Sequence, residues 1–360
     1  MNPLFYIIII YTTLINLVVF YSYFYPQKKR QKKQTYKPFV SVIVAVRNEE
    51  KNLKDLLDKL RDQLYDEDKF EVIIVDDYSH DNSKQIINDY QKQFPQLKSS
   101  INKFNSGKKN ALKTGIEIAQ GEIILLTDAD CLPPKSWINS IVDTYDEHSQ
   151  LVIGYSPFLD DGKFVTKFCR YENFLTSFLL TTFSRVGFPY MGFGRNLSFK
   201  KQFFESVKGY DGIDKSLSGD DDLFIQKAMK SGGKIILADS PDSIVYTKCD
   251  LNIKRLINQK TRHISASKFY PIEMKISLGF FYLSNIFLNI VLIPSLISLD
   301  LFIISFIIFN YIIKIFEISL ITKKMNEKFP IYLIPIFDFI YSILLVITGI
   351  LSRKRIVRWK

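Results

Sequence analysis

Two aspartates separated by one residue, Asp128 and Asp130, directly follow a short strand-like run at residues 122–127. Side chains alternate along an extended chain, so both carboxylates point to the same side. Paired carboxylates offer the hard oxygen ligands that Mg²⁺ or Mn²⁺ prefers, and substrate phosphates normally complete such a site. Asp-Ala-Asp arises by chance in many proteins, but its position after a buried strand is informative. The spacing therefore predicts a divalent-cation site.

Three consecutive aspartates, Asp220, Asp221 and Asp222, precede an amphipathic helical pattern. One acid at a helix start is expected for capping, whereas three like charges repel one another unless a cation is near. A carboxylate held near a metal-bound phosphate ester can act as a general base toward an incoming hydroxyl. We therefore expect one of these acids to be catalytic.

Polar clusters follow the first two strand-like runs, at residues 47–50 and 76–79. In an open α/β sheet, ligands bind outside the carboxyl ends of the strands, which is where both clusters would lie. The alternative is that Asn48 and Asp77 only cap the helices that follow them.

A further polar group, Gln259 and Arg262, is spaced to share one face of a helix. The same segment is also compatible with a cationic amphipathic helix that lies on a bilayer. The cations that would face lipid headgroups are Lys254, Arg255, Lys260, Arg262 and Lys268. Both interpretations can hold, because they concern different faces of one helix.

The elements that must position these residues alternate between two patterns from residue 38 to about 250. Strand-like runs at 39–46, 70–75 and 122–127 are rich in β-branched residues and apolar on both faces, as buried parallel strands are. Helical periods lie between them, for example Leu53, Leu56, Leu57, Leu60 and Leu64. This alternation predicts an α/β domain with a mostly parallel sheet and right-handed crossovers.

Apolar segments border this domain on both sides, and each is long enough to cross the hydrocarbon layer of a membrane. They are residues 3–25, 276–297, 301–320 and 331–351. A cleaved signal peptide is the alternative for the first, but the run is too long, basic residues follow it, and no small-residue cleavage site is present. The last contains Pro335 and Asp338, so a re-entrant or interfacial segment is the alternative there.

The net charge of +11 reflects 48 basic and 37 acidic side chains and is concentrated beside the apolar segments. Basic clusters occupy residues 28–37 and 353–360, whereas a nucleic-acid binder would spread its cations over a folded face. The positive-inside rule places both clusters in the cytosol. Simple alternation of spans would place the second one outside, so the number of C-terminal spans stays open and we favour a cytosolic tail.

The cysteine content adds one constraint. Three widely spaced cysteines predict reduced thiols in a cytosol-facing protein rather than a disulfide framework or a zinc site.

The order of these motifs, from about residue 38 to 265, resembles the family 2 glycosyltransferases, which have the GT-A fold. The segments that carry the resemblance are 40–50, 75–83, 105–112, 128–130, 192–198, 220–222 and 259–263. The chain departs from the family pattern at Ala45, where Pro is usual, at Tyr78 in place of Gly, and at His263 in place of Trp. For the glycine-rich segment 192–198, a tight turn between elements is an equally good reading.

The resemblance implies donor-binding roles for several residues. Those that would hold or lie near a nucleotide-sugar, expected to be a UDP-sugar, are Glu49, Asp76, Asp77, Lys108 and Asp128.

The resemblance also implies the catalytic and metal-binding roles. Asp130, with Asp128, would bind Mg²⁺ or Mn²⁺ at the donor diphosphate, and Asp221 would be the general base in a catalytic motif shared with Asp220. The residues placed by the diphosphate and the acceptor would be Gln259, Arg262 and His263.

The function implied is that of an inverting, metal-dependent glycosyltransferase that builds a cell-envelope glycan or glycolipid on a lipid-linked or glycan acceptor. It would be a multi-pass protein of the cell (inner) membrane with a cytosolic catalytic domain and no nucleic-acid partner. A processive polysaccharide synthase is the first alternative, although His263 removes an indole platform for the acceptor sugar. A catalytically silent scaffold is the second, although the predicted metal and base carboxylates are all present.

The sequence divides accordingly into consecutive segments. They are an N-terminal transmembrane helix (1–26), a basic cytosolic linker (27–37), a GT-A domain (38–250), an amphipathic interfacial region (251–275), two or three membrane helices (276–352) and a basic tail (353–360).

Overall fold

The computed structural model describes residues 3–24, 37–213, 219–249, 252–324 and 327–354. Nearly all of the predicted basic linker and basic tail therefore lies outside the described residues. The strands are β1 (Val40–Val46), β2 (Phe70–Asp76), β3 (Leu97–Ile101), β4 (Ile123–Asp128), β5 (Cys131–Leu132), β6 (Ser149–Ile153), β7 (Leu197–Lys200), β8 (Lys234–Leu237) and β9 (Tyr246–Thr247). The helices are α1 (Pro3–Phe24), α2 (Leu53–Arg61), α3 (Ser83–Gln91), α4 (Lys108–Ile118), α5 (Trp137–Val142), α6 (Phe164–Arg185), α7 (Lys201–Ser206), α8 (Asp222–Lys230), α9 (Ile253–Ala266), α10 (Ile272–Ser298), α11 (Leu301–Lys324) and α12 (Ile334–Lys354).

One compact unit is an α/β domain built on a seven-stranded sheet with the strand order β3-β2-β1-β4-β7-β6-β8. β1 pairs in parallel with β2 and β4, and β2 pairs in parallel with β3, whereas β7 is antiparallel to both of its neighbours. Every residue of β1 and β2 is buried, as expected for strands covered on both faces. The predicted mostly parallel sheet is confirmed.

The register of the central strands brings the predicted acids to one edge. Val46 pairs with Asp76, and Ala45 pairs with Asp128. Because β1, β2 and β4 are parallel, their carboxyl ends lie side by side. This edge of the sheet therefore carries the first part of the candidate site.

Helices cover the sheet and fix the position of this edge. Leu53, Leu56, Leu57 and Leu60 of α2 are buried as predicted. Leu64 was expected to continue the same face, but α2 ends at Arg61 and Leu64 is 63% exposed.

Close packing of α4 on the sheet depends on a glycine. A Cβ atom on Gly115 would lie only 2.5 Å from Cγ2 of Ile43 in β1. The missing side chain thus lets α4 lie directly on the sheet, and Lys108 is the first residue of that helix.

The second compact unit is helical and contains α1, α6 and α9 to α12. Helices long and apolar enough to cross a membrane occupy Ile272–Ser298, Leu301–Leu320 and Ile331–Ser352. α1 is helical over Pro3–Phe24, where the sequence predicts a helix; that it spans a membrane stays a prediction.

The position of α6 differs from the predicted domain boundaries. Residues 160–187 group with the helical unit, so the region 38–250 is not one continuous domain. The reason is an aromatic face: Phe168 and Tyr171 pack against Phe337 at centroid distances of 5.7 and 5.8 Å, and Phe174 packs against Phe329 at 5.2 Å. These partners come from residues far downstream, which a local pattern does not reveal.

α11 runs antiparallel to α10. The Tyr311 hydroxyl donates to Oδ1 of Asn289 (2.7 Å), and Nζ of Lys314, one turn further along α11, donates to Oδ1 of Asn285 (2.8 Å). α11 therefore ends near the level at which α10 begins.

α12 also runs antiparallel to α10. Nδ2 of Asn289 donates to Oγ of Ser342 (3.0 Å), whereas Nζ of Lys268, just before α10, donates to the carbonyl of Ser352 (3.2 Å). α11 and α12 consequently point the same way, and both end at the side where α10 begins. Whether α12 is a re-entrant segment or a third C-terminal span stays a prediction.

α9 forms where an amphipathic helix was predicted, but one of its cations has a different environment. Lys260 was expected to face lipid headgroups; instead its ammonium forms an ion pair with Glu172 of α6, and both side chains are largely buried. A charge-compensating partner within the helical unit thus replaces the predicted headgroup contact.

Candidate active site

Lys108 joins two of the predicted acidic motifs. Its Nζ lies 2.8 Å from Oδ1 of Asp128, at the end of β4, and 3.2 Å from Oδ2 of Asp220. Burial acts to lower the pKa of Lys108, but the adjacent carboxylates outweigh it and raise this pKa. Lys108 is therefore a fixed cation between the predicted metal site and the predicted catalytic motif.

The neighbouring acids Asp220 and Asp221 have opposite pKa shifts. For Asp220, burial favours the neutral form, but the charge of Lys108 outweighs it and lowers the pKa. For Asp221, burial and the negative charge of Asp220 together raise the pKa. One acid is thus held ionised while its neighbour has increased proton affinity, which suits proton transfer.

Backbone amides fix both oxygens of Asp221. Oδ1 accepts a hydrogen bond from the amide of Asp222 (2.8 Å), and Oδ2 accepts one from the amide of Gly194 (2.9 Å). Asp221 therefore caps α8, as the structural alternative predicted, and its role as a base stays a prediction. A Cβ atom on Gly194 would lie 3.2 Å from oxygens of both Asp220 and Asp221, so glycine leaves room beside the acids.

Tyr210 belongs to this cluster, although the sequence did not predict it as a site residue. Its ring packs against Phe204 (5.1 Å) and Phe224 (5.8 Å). Its buried hydroxyl has no hydrogen-bond partner among the residues that the structure describes. Burial, followed by the charge of Asp220, raises the pKa of Tyr210. Only the fold brings Tyr210 to the acids, so no spacing rule could find it.

The cation site expected at Asp128 and Asp130 stays a prediction. Both residues are partly exposed at the end of β4. Within the described chain, no three His, Cys, Asp or Glu side chains converge on a common point. The two carboxylates fit a hard cation such as Mg²⁺ or Mn²⁺ chemically, with the remaining ligands supplied by water and substrate phosphates.

The loops after β1 and β2 are bonded to each other. Oδ1 of Asn48 accepts from the amide of His80 (2.8 Å), and Oγ of Ser83 accepts from the amide of Glu49 (2.9 Å). Asn48 (φ 55°) and Tyr78 (φ 59°) are both left-handed. The capping alternative for Asn48 is wrong, because α2 begins after Asn52 and Asn48 bonds to the other loop.

Tyr78 occupies the position where the resembling family has Gly. A left-handed backbone favours glycine because it has no Cβ. The Tyr78 hydroxyl donates to the carbonyls of Asn102 (3.0 Å) and Phe104 (3.1 Å). The side chain thus connects this loop to the one that leads into α4.

Asp77 is fully buried and organises the loop before α4. Its carboxylate accepts hydrogen bonds from Nδ2 of Asn102 (2.5 Å), from Oγ of Ser106 (2.9 Å) and from the amide of Gly107 (3.0 Å). Arg47 lies 3.2 Å from the same carboxylate. The capping alternative is therefore wrong for Asp77 as well. Its predicted contact with a donor stays a prediction, and the partners observed support an indirect role.

Glu49 and Asp76 lie at the same edge and are largely buried. Oε2 of Glu49 accepts from Nδ2 of Asn52 (2.8 Å), and Oδ1 of Asp76 accepts from the amide of Ser79 (3.2 Å). The structure brings both close to the loops that would surround a donor. Their contact with a nucleotide stays a prediction.

The glycine-rich segment 192–198 leads into β7 and is fixed from both sides. Asn196 donates through Nδ2 to the carbonyls of Tyr155 and Ser243 (both 2.8 Å) and accepts from Nε1 of Trp137 (3.0 Å). This buried amide holds the turn that presents the Gly194 amide to Asp221.

Gln259, Arg262 and His263 lie on α9 in the helical unit. Gln259 and Arg262 are half-buried, and His263 is exposed. Nε of Arg262 is buried and has no hydrogen-bond partner in the described part of the chain. Their predicted position by the diphosphate and acceptor stays a prediction.

A mostly parallel sheet, paired carboxylates at the end of β4 and a second acidic motif before α8 are features of a GT-A-like fold. The chain is similar to the solved mannosyltransferase PcManGT from Pyrobaculum calidifontis in complex with GDP-Man and Mn²⁺. The TM-score is 0.60 and the identity 19%, over 96% of this chain and 98% of that one. This likeness establishes the fold.

The family model described as Glycosyl transferase family 2 matches residues 41–205. The resemblance noted from the motifs is confirmed over these residues.

Curated relatives align over parts of the chain. Glycosyltransferase AglE of Haloferax volcanii is 36% identical over 107 residues, which cover 30% of this chain and 35% of AglE. Beta-monoglucosyldiacylglycerol synthase of Trichormus variabilis is 35% identical over 122 residues, which cover 33% of this chain and 26% of that protein. The chain thus spans about a third or less of the length of these two relatives.

Proposed function

We propose that this protein is a membrane-associated glycosyltransferase that moves a sugar from a nucleotide-sugar to a hydroxyl acceptor, with inversion at the anomeric carbon. The observation that carries the proposal is the Lys108 ammonium between Asp128 and Asp220, with Asp221 beside it. In this cluster Asp128 would be the cation-binding carboxylate, and Asp221, whose pKa is raised, would be the base.

In the proposed reaction Asp221 receives the proton of the acceptor hydroxyl. The acceptor oxygen bonds to the anomeric carbon while the bond from that carbon to the diphosphate oxygen breaks, and a nucleoside diphosphate leaves. The amides of Gly194 and Asp222 orient the carboxylate of Asp221 for this step. Asp220 stays ionised beside Lys108 and keeps the pKa of Asp221 raised.

The donor site is proposed at the edge formed by β1, β2 and β4. Asp128 and Asp130 would hold Mg²⁺ or Mn²⁺, which would offset the charge that develops on the diphosphate. Glu49 and Asp76 would contact the base and ribose of a UDP-sugar, and Asp77 would shape the loop that encloses them. PcManGT was solved with GDP-Man and Mn²⁺, which supports a nucleotide-sugar and a divalent cation in this fold.

The acceptor is proposed to be lipid-linked or a glycan of the cell envelope. Candidate spans in the same chain and the similarity to beta-monoglucosyldiacylglycerol synthase support an acceptor held at a membrane. Gln259, Arg262 and His263 would act near the diphosphate and the acceptor.

We propose the cell (inner) membrane as the location, with the α/β unit in the cytosol. α11 and α12 both end at the side where α10 begins. This supports a basic tail on the side from which α10 starts, as the positive-inside rule favours. The direction of α12 thus supports the cytosolic tail that simple alternation contradicted.

A donor panel tests the function. Membranes containing the protein are incubated with UDP- and GDP-sugars and Mg²⁺ or Mn²⁺, and release of nucleoside diphosphate is measured.

A variant of the proposed base tests the mechanism. Asp221→Asn is expected to keep donor binding and to lower turnover about 10²- to 10⁴-fold. Asp211→Asn, an exposed acid, is the matched control. If no donor is turned over by folded protein, the scaffold alternative is favoured, and if Asp221→Asn keeps near-normal turnover, another base must be sought.

A further inference from the structure

A polar cavity lies within the helical unit, among α1, α6, α10, α11 and α12. Its volume is about 60 Å³, which is room for roughly four water-sized atoms. Phe281, Leu288 and Ile307 contribute apolar wall. The polar wall includes Asn16, Asn285, Asn310, Lys314, Glu317 and Asp338. Ionisable groups inside apolar helices are costly and commonly mark a functional site.

Part of this polar wall is satisfied within the protein. Nζ of Lys314 lies 2.7 Å from Oδ1 of Asp338 and also donates to Oδ1 of Asn285 (2.8 Å). The Tyr171 hydroxyl donates to the same oxygen of Asp338 (2.7 Å). These groups form a charge-neutral, hydrogen-bonded network, and a structural role is sufficient to explain them.

Glu317 is the exception in the cavity wall. Its residue is only 7% exposed, and its Oε1 atom is buried without a hydrogen-bond partner among the described residues. A buried carboxylate without donors is strongly disfavoured. The cavity thus has an acceptor group that its own helices do not satisfy.

The charges around Glu317 restrict which ligand groups can bind to its carboxylate. An anionic headgroup would meet two carboxylates, Glu317 and Asp338, against one ammonium that is already paired. A metal cation would meet the ammonium of Lys314. A neutral hydroxyl group avoids both conflicts, because it donates to a carboxylate and accepts from an amide such as that of Asn16.

The surroundings of the cavity indicate what the rest of the ligand must be. α10 and α11 are long and apolar enough to lie in a bilayer, and outward side chains such as Leu283 and Ile290 are 64% and 63% exposed. A ligand that reaches the cavity from such an environment carries an apolar tail. We propose that this cavity binds the hydroxyl-bearing headgroup of a neutral lipid, with a hydroxyl donating to Oε1 of Glu317. The binding does not require the transferase activity proposed above.

Lipid retention by the purified full-length protein tests this site in the absence of any nucleotide-sugar. The protein in detergent is incubated separately with diacylglycerol, monohexosyldiacylglycerol, phosphatidic acid and triacylglycerol of the same acyl chains, and bound lipid is counted after washing. We expect retention of diacylglycerol and at least tenfold less of phosphatidic acid and triacylglycerol. The hexosyl headgroup has more atoms than a cavity of about 60 Å³ admits, so the hexosyl lipid should also be retained less than diacylglycerol.

Variants separate the cavity from general lipid adsorption. Glu317→Leu is expected to lower retention of the hydroxyl lipid at least tenfold, and Glu317→Gln, which keeps an acceptor oxygen, is expected to lower it less. Glu273→Gln, an exposed acid at the start of α10, is the matched control and should retain lipid normally. Thermal unfolding confirms that each variant is folded, and Glu317→Gln still tests the site if Glu317→Leu does not fold.

Equal retention by the native protein and both Glu317 variants would overturn the proposal, as would retention of phosphatidic acid at the level of diacylglycerol. Asp221→Asn should bind lipid normally while losing transfer. A failure of the transferase proposal would therefore leave the lipid result intact, and a failure of the lipid proposal would leave donor turnover intact.

Discussion

The ammonium of Lys108 and the carboxylate of Asp220 lie 3.2 Å apart, although one begins α4 and the other precedes α8. The same ammonium is 2.8 Å from Asp128. One side chain therefore compensates acids from two motifs that would otherwise repel each other. This arrangement explains how Asp220, Asp221 and Asp222 can follow one another in the chain.

Removing this cation should destabilise the α/β unit. Lys108→Met leaves Asp128 and Asp220 without their shared partner, and we expect a loss of about 2 kcal/mol in the free energy of unfolding. Chemical denaturation of the purified protein measures it. Lys113→Met on the same helix removes an exposed, longer ion pair with Asp211 (3.7 Å) and a contact of the ammonium with the Phe104 ring (5.1 Å), and it should change stability less. Equal effects of the two substitutions would show that Lys108 does not stabilise the acids.

The pH dependence of transfer should report the pKa of Asp221. A base works only when deprotonated, so activity is present above its pKa and is lost as the pH falls through it. Because burial and Asp220 raise this pKa, the acidic limb of kcat/KM should lie above the range of an ordinary aspartate. Asp220→Asn removes the like charge and should move the limb to lower pH. An unmoved limb would mean that Asp221 does not control it.

Metal dependence should follow the carboxylates after β4. Asp130→Asn weakens a hard oxygen ligand, so we expect the Mn²⁺ concentration for half-maximal transfer to rise at least about tenfold. Titration of Mn²⁺ into chelator-treated membranes measures this. Asp143→Asn, an exposed acid outside the site, provides the control. Unchanged Mn²⁺ dependence in Asp130→Asn would assign the cation to other ligands.

The left-handed backbone of Tyr78 permits a test of strain. Tyr78→Ala and Tyr78→Gly both remove the bonds to Asn102 and Phe104, but only glycine adopts φ 59° without a Cβ penalty. We expect Tyr78→Gly to be about 1 kcal/mol more stable than Tyr78→Ala. Thermal unfolding of the two variants side by side measures the difference, and a more stable alanine variant would contradict the strain argument.

Much of the α/β unit could be predicted from local pattern. β1, β2 and β4 are almost entirely buried. Strands that are covered on both faces have runs rich in β-branched and apolar residues, and this pattern can be recognised in a sequence. Each buried run ends at an aspartate, so Asp76 and Asp128 could be predicted to lie at strand ends.

The sequence could not predict side-chain contacts that form only when the chain folds. Asn48 and Asp77 precede helices and so suggested caps, but their side chains bond to groups from other loops. Tyr210 reaches the acids only through packing on Phe204 and Phe224, and Lys260 faces Glu172 rather than lipid. Asn48, Asp77 and Lys260 have partners that are remote in sequence, and the contacts of Tyr210 form only when the chain folds. No periodicity encodes these contacts.

The placement of α6 has a practical consequence for expression. A truncation after residue 250, the obvious way to obtain a soluble enzyme, retains α6 but deletes Phe329 and Phe337, which cover Phe168, Tyr171 and Phe174. Such a fragment would display an uncovered aromatic surface and is expected to aggregate. Replacing residues 160–187 with a short flexible connector, rather than cutting at the C-terminal boundary alone, would remove this aromatic surface from the fragment.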